Sequence, residues 1–578
     1  MEKKNIAITV LLIALIASGI GNIILAFMIT PPPPTRENAY IRATSAGPHT
    51  LELCDAWDSA SNDVLEQCVE TLFFYDLNDV DLPLVMGLAE SYYYENLTTL
   101  HIKLREGINF QDGTPFNATA AKWNLDRLNY LINATGANTG TVTQTKSLWS
   151  FPDGVTPIMN NTVVDSLYNI TITLNDAYAP FINTLSYINS GMISPTYHAA
   201  DVHSFITLSD HIIGTGPFIY QSFTPDVEVR MVRWDGYWMK DVYGNPNVAN
   251  FPTVIYAIYD DANTAHQAFL SGAIDANAMA SDQNIATYKT RDDIFVYDFT
   301  AATGKPSLVY QYMGVNNHKY NATWRKAFAF AVNYSYVIDE LRLGNAFRSY
   351  TAISPGFGSS YNASVPSDPR SVPDEGNVTV ARMTMQSMGF GLSLGLADDA
   401  AWQAQAASAP FETVRYTYNI GNTFREDLYV AVTEWLKQIG CATEDDGVEW
   451  DTFLDYLYDV GEGFDHLGLY AIGWAPDYLE PYNMLDPLFN PNSGSNSAQV
   501  NDTVLNTLMA DALTETNPVT REDTYKHIQS YMATQGFNHI PLYHSKVIGL
   551  CRGDIYGIPF NAMGALRIYP IYRGAYRT

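Results

Sequence analysis

From Ala39 to His544 the chain switches repeatedly between two hydrophobic rhythms. Segments such as LTTLHIKL (97–104), YNITITLN (168–175) and VEVRMVRW (227–234) alternate apolar and polar residues, the period of a strand with one buried face. Between them NATAAKWNLDRLNYLI (117–132), ANTAHQAFLSGAIDA (262–276), WRKAFAFAVNYSYVIDEL (324–341) and REDLYVAVTEWLKQIG (425–440) space apolar residues three and four apart, the period of a helix. Helices are also expected in SASNDVLEQCVETLF (59–73), opened by a serine or asparagine cap, and strands in AYIRATSA (39–46), FPTVIYAIY (251–259) and ETVRYTYNI (412–420). Such interleaving points to an α/β architecture with mixed sheets, and 578 residues are enough for two or three compact units.

The N-terminus states where the chain resides. After Lys3 and Lys4 no charge appears from Ile6 to Ile29, and those twenty-four residues would reach about 36 Å as a helix, enough to cross a hydrocarbon core of about 30 Å. Lysines ahead of the span place residues 1–5 in the cytoplasm and the globular part outside the cell. The proline run 31–34 then makes a stiff spacer, within a linker covering 30–36. A signal peptide cleaved near Ala17-Ser18-Gly19 is the alternative.

Charge and cysteine content narrow the partners. The net charge of -29 rests on scarce bases, 32 Lys and Arg against 61 Asp and Glu, and no basic patch offers a footprint for nucleic acid. Cys54, Cys68, Cys441 and Cys551 allow three pairings, with Cys54–Cys68 the local choice for a disulfide and four buried thiols the alternative. Ten N-x-[ST] sites, at Asn96, Asn117, Asn133, Asn160, Asn169, Asn321, Asn333, Asn362, Asn377 and Asn501, make glycosylation an expectation for an external protein.

One loop carries the candidate chemistry. DHLGLYAI reads as a buried strand that ends in GWAPDYLEP (473–481), where prolines stiffen the backbone around Asp477. With this loop in place, the chain resembles the family 5 class of extracytoplasmic solute-binding proteins, the oligopeptide and dipeptide receptors of ABC importers. The matching blocks are LHIKLREGINFQDGTPFNATAAKWNLDRL (100–128), IIGTGPFIYQSF (212–223), VRWDGYW with FPTVIYAIYDDANTAHQAFLSGAIDA (232–276), NATWRKAFAFAVNYSYVI (321–338), and GWAPDYLEPYNML with HIPLYH (473–485, 539–544).

The resemblance implies a two-lobed periplasmic-binding-protein-like clamshell of type II with an extra subdomain, here preceded by the transmembrane helix. Lobe I would comprise 37–80, 200–300 and 544–578, the extra subdomain 81–199, and lobe II 301–543. A short peptide would lie between the lobes, with Asp477 taking its α-ammonium group and with Gly473, Trp474, Ala475 and Tyr478 beside it. Glu480 would touch ligand or orient the loop, and Glu70, Thr71 and Leu72 would face the ligand from lobe I. The expected partners are permease subunits with cytoplasmic ATPases, no cofactor is implied, and the receptor is expected to be a monomer. An oligosaccharide receptor of the same fold is the alternative, resting on 39 Tyr and 10 Trp available for stacking.

Enzyme-like signals are weak, and a surface hydrolase is the least favoured reading. GLSLG (391–395) fits the spacing of a nucleophile elbow, but the helical segment ARMTMQSMGF stands where that motif needs a strand. His198, His203 and His211 lack metal-ligand spacing, so no metal site is expected, and the absence of a P-loop removes ATP hydrolysis from this chain.

Overall fold

Three sheets organise the computed structural model, which describes residues 36, 38–132, 145–198, 205–241, 251–458 and 462–577. The first is mixed, with strand order Ala276–Asn277, Ala39–Thr44, Thr253–Ile258, Glu228–Arg233 and Phe218–Thr224. Ala39–Thr44 runs parallel to both neighbours, from Ala39 opposite Thr253 to Thr44 opposite Ile258 on one side. An antiparallel four-stranded sheet, Ala89–Asn96, Thr99–Leu104, Asn169–Leu174 and Met159–Ser166, stands beside it. The third sheet orders Ala346–Arg348, His539–Ser545, Tyr310–Val315, Leu469–Trp474, Thr413–Asn419 and Ala442–Val448, and packs a separate core that includes Phe328, Trp402, Leu436 and Ile540.

The chain passes between the first and third sheets through an antiparallel ribbon, Ile294–Asp298 with Ile548–Arg552. This divides the molecule into two lobes joined by a two-stranded hinge. The connection after Trp474 is unusual in its packing. Tyr482, Leu488, Leu505, Tyr525 and Ile528 belong to the same apolar cluster as the first lobe and the four-stranded sheet, so the lobes meet over a continuous surface.

Arg36 and the C-terminus are tied to the first sheet by one charged network. Asp275 accepts from Arg36 at 2.6 Å and from Arg573 at 3.0 Å, and Asp554 pairs with the same two arginines at 2.8 Å each. Asp275 also accepts the amide of Ile41 at 2.9 Å, so its buried charge is fully coordinated.

Several sequence expectations change. The cysteines do not pair: all four are free and buried. Cys54 lies against Arg127 at 3.4 Å, while Cys68 ends the ten-residue helix Ser59–Cys68. That helix is capped by Asp58, whose carboxylate accepts from the Ser61 amide. WRKAFAFAVNYSYVIDEL is not one helix. Ala322–Ala331 stops at Val332, with φ −71° and ψ 133°, and Asn333 caps a second turn by accepting from Tyr336. At Asn362 the side-chain amide nitrogen is engaged with the Lys526 carbonyl and the Ser530 hydroxyl, both at 2.9 Å.

Residues 6–29, the proline spacer, Asn133 and His203 lie outside the described residues. Among the described residues no helix is long and apolar enough to cross a membrane, and no three His, Cys, Asp or Glu side chains converge on a metal-sized site. GLSLG follows the helix Val378–Ser387, and no strand delivers Ser393.

Candidate functional site

The strand Leu469–Trp474 forms where LYAIGW supplies aromatic and branched side chains to a half-buried surface. On one edge it is paired throughout with Tyr310–Val315, placing Trp474 opposite Tyr310 and Gly473 opposite Gln311. On the other edge it pairs with Thr413–Asn419 only at Leu469 and Tyr470. From Ile472 onward that second edge has no strand beside it among the described residues, which leaves backbone groups able to receive an extended chain. A side chain at Gly473 would meet the Gln311 amide at 2.3 Å, so glycine lets Gln311 lie across the strand.

The loop beyond holds Asp477 by a reciprocal pair. The Asp477 amide donates to Asn483 Oδ1 at 2.6 Å, and Asn483 Nδ2 donates to Asp477 Oδ2 at 3.0 Å. From across the cavity the Tyr187 hydroxyl, which donates to the Ala56 carbonyl at 3.2 Å, also acts on the carboxylate. Desolvation dominates: it pushes the Asp477 pKa up from 3.8 to about 6, while the bonds from Asn483, Tyr187 and its own amide pull the other way. Among the described residues no cation pairs with it. Asp477 is thus a desolvated acid lacking a counter-charge.

Asp477 lines a cavity between the lobes with Trp57, Leu148, Trp474, Pro487 and Ser495. Trp474 Nε1 is buried there without an acceptor. The space is about 20 Å³, room for one water. The lobes are drawn together around it: the Trp57 and Tyr458 rings meet edge to face at 4.9 Å, and Tyr75 Oη accepts from the Leu479 amide at 2.9 Å. Admitting anything larger than a water therefore requires the lobes to separate at the hinge.

Not every residue expected at the ligand is brought there. Glu70 is buried and its carboxylate is saturated, accepting from Thr215 at 2.7 Å, Tyr237 at 2.8 Å and Trp238 at 2.7 Å. The carbonyls of Glu70, Thr71 and Leu72 bond Met192, Leu88 and Gly87, so these three residues join the first lobe to the segment 81–199 and do not line the Asp477 cavity. Glu480 is likewise engaged, with Tyr525 at 2.7 Å and Arg521 at 3.6 Å, and anchors the loop from behind. Tyr478 is buried against Tyr178, their hydroxyls 3.4 Å apart, and braces the loop. Ala475 is exposed at the strand end.

Four side chains were missed. Trp57 reaches the site from the first lobe and Tyr187 from the segment 81–199, but each stands in a short stretch whose aromatic reads as ordinary core. Tyr458 closes the helix Trp450–Tyr458, and Asp477 acts on its hydroxyl. Arg425 lies over the rings of Trp450 and Phe453 at 5.7 and 5.5 Å, bonds Asn419, and has no carboxylate partner among the described residues. Arg425 thus stands against the first half of the nine-residue helix whose last residue, Tyr458, feels the charge of Asp477. In the sequence Arg425 reads as a helix-start charge followed by Glu426 and Asp427, which hides its isolation.

Residues 83–496 match the sequence model of the bacterial extracellular solute-binding proteins, family 5, and the chain belongs to that family. Among curated relatives, the glutathione-binding protein GsiB of Shigella flexneri serotype 5b is 24% identical over 510 residues, covering 86% of this chain and 87% of its own. Among solved structures, the dipeptide-binding protein of Pseudoalteromonas sp. SM9913 in complex with Met-Leu superposes with a TM-score of 0.76 at 18% identity, covering 93% of this chain and 100% of that one. The periplasmic binding protein DppA of Helicobacter pylori, in complex with the peptide STSA, gives 0.75 at 18% identity, with 93% and 98% covered. These likenesses show the two-lobed α/β fold of periplasmic binding proteins.

Proposed function

We propose that this chain is the extracellular receptor of an ABC importer, anchored through residues 6–29, which captures short peptides between its lobes and passes them to permease subunits driven by cytoplasmic ATPases. The observation that carries this reading is the unpaired Asp477 carboxylate in the interlobe cavity, desolvated and facing both lobes. A free peptide N-terminus supplies the missing positive charge and several donors. Its first carbonyl would satisfy Trp474 Nε1, and its backbone would add to the open edge from Ile472 to Ala475. Arg425, against Trp450 and Phe453 of the Trp450–Tyr458 helix, would suit the peptide's terminal carboxylate. Peptide-binding relatives of the same fold, and a glutathione-binding one, agree with this chemistry.

The charge-assisted bond at Asp477 contributes a net of about 1.5 to 3 kcal/mol. Calorimetry with a short peptide and its N-acetylated form tests the reading. Acetylation is expected to weaken binding at least tenfold in the wild type and to have little further effect in Asp477→Asn. Equal affinity of the wild type for both forms would refute the capture of an amine.

A further inference from the structure

A second cavity, of about 490 Å³, opens where the four-stranded sheet meets the helix Pro518–Tyr531. It lies behind the Asp477 loop and shares no lining residue with the Asp477 cavity. Tyr94, Leu97, Tyr178, Ala179 and Ile182 give it an apolar wall, and Arg521 is its one charged lining residue. The volume falls within the range of small-molecule sites, and the combination of apolar wall and single charge is typical of them. Leu97 and Tyr94 are left 58% and 40% exposed at the rim, apolar surface that an occupant would cover.

Arg521 is held loosely. Its Nε stands 3.6 Å from Glu480 Oε1 and its Nη1 3.4 Å from the Glu515 carbonyl, and Nη2 makes no hydrogen bond among the described residues. Glu480 already accepts from Tyr525 at 2.7 Å, so it keeps a close partner if Arg521 turns away. A planar guanidinium with an open fork beside an apolar wall selects a carboxylate, which it binds through two parallel bonds. It repels an ammonium group.

We propose that this cavity is a second ligand site, specific for a small molecule that carries one carboxylate on an apolar body. An occupant competes with Glu480 for Arg521, which connects the site to the loop that bears Asp477. The assignment stands independently of the peptide reading, because its test measures binding at Arg521 directly.

Decanoate is the probe, titrated into the full chain by calorimetry below its micelle concentration, with decanol and decylamine alongside. Saturable one-to-one binding of decanoate is expected, at least tenfold tighter than either control. Arg521→Gln is expected to weaken it at least tenfold, Glu480→Gln to tighten it, and Ala179→Trp to abolish it with the circular dichroism spectrum unchanged. Absence of saturable decanoate binding to the wild type would overturn the proposal. So would equal binding of decanol, or decanoate affinity that survives both Arg521→Gln and Ala179→Trp.

Discussion

Replacing Asp477 by Asn separates what the site does for a ligand from what it does to the fold. The carboxylate is half-buried with no cation beside it among the described residues, and desolvation raises its pKa from 3.8 to about 6. The raised acid binds its proton more tightly folded than unfolded. Below about pH 4 both states are protonated and the group has no effect; between about 4 and 6 the unfolded chain ionises first, and stability falls as pH rises. Above pH 6 the loss is complete, about 2 pKa units at 1.36 kcal/mol each, or up to about 3 kcal/mol. Asparagine keeps the bond to Asn483 and removes the charge. Urea unfolding of peptide-stripped protein at pH 4 and pH 8 should therefore show the variant gaining up to about 3 kcal/mol on the wild type between the two. Buried acids shared by both proteins, such as Asp486, also raised to about 6, cancel in that difference. A gain under about 0.5 kcal/mol, within extrapolation error, would refute the claim that Asp477 is held charged at a cost. Peptide affinity should move the opposite way, weakening in the wild type as pH drops below about 6, where the protonated acid no longer pairs with an amine.

Arg425→Gln should weaken peptides with free C-termini about tenfold and leave amidated peptides unchanged, as calorimetry would show. Glu70→Ala strands the donors of Thr215, Tyr237 and Trp238 and should cost at least about 3 kcal/mol in urea unfolding, while Glu70→Gln costs less. A thiol reagent should titrate four cysteines in denatured protein and essentially none in the native state. All four are buried, and burial pushes Cys68 and Cys441 up to about 12 and Cys551 to about 11.

Much of the architecture was legible because it is written in local periodicity. Alternation marked Thr99–Leu104, Asn169–Leu174 and Glu228–Arg233, and helical spacing marked Ala118–Ile132 and Thr423–Lys437. The helix break at Val332 escaped because Asn333 competes for the backbone through its side chain, which no apolar pattern records. Asp477 was legible as a candidate because prolines and a strand end announce a rigid loop. Trp57, Tyr187 and Arg425 were not, because what distinguishes each is a neighbour far away in sequence, Tyr458, Asp477 and Trp450 respectively. The surroundings of Glu70 were equally hidden, since the three donors that bond it come from residues 215, 237 and 238.

The four-membered cluster of Arg36, Asp275, Asp554 and Arg573 rivets the beginning and the end of the described chain to one half of the molecule. Asp554 stands two residues beyond the ribbon strand Ile548–Arg552, and the Asp275 carbonyl accepts from the Arg552 amide at 2.8 Å, so the cluster also fixes one end of the ribbon to that half. With both ends of the described chain held on one half, that half is the base against which the other can swing as a jaw.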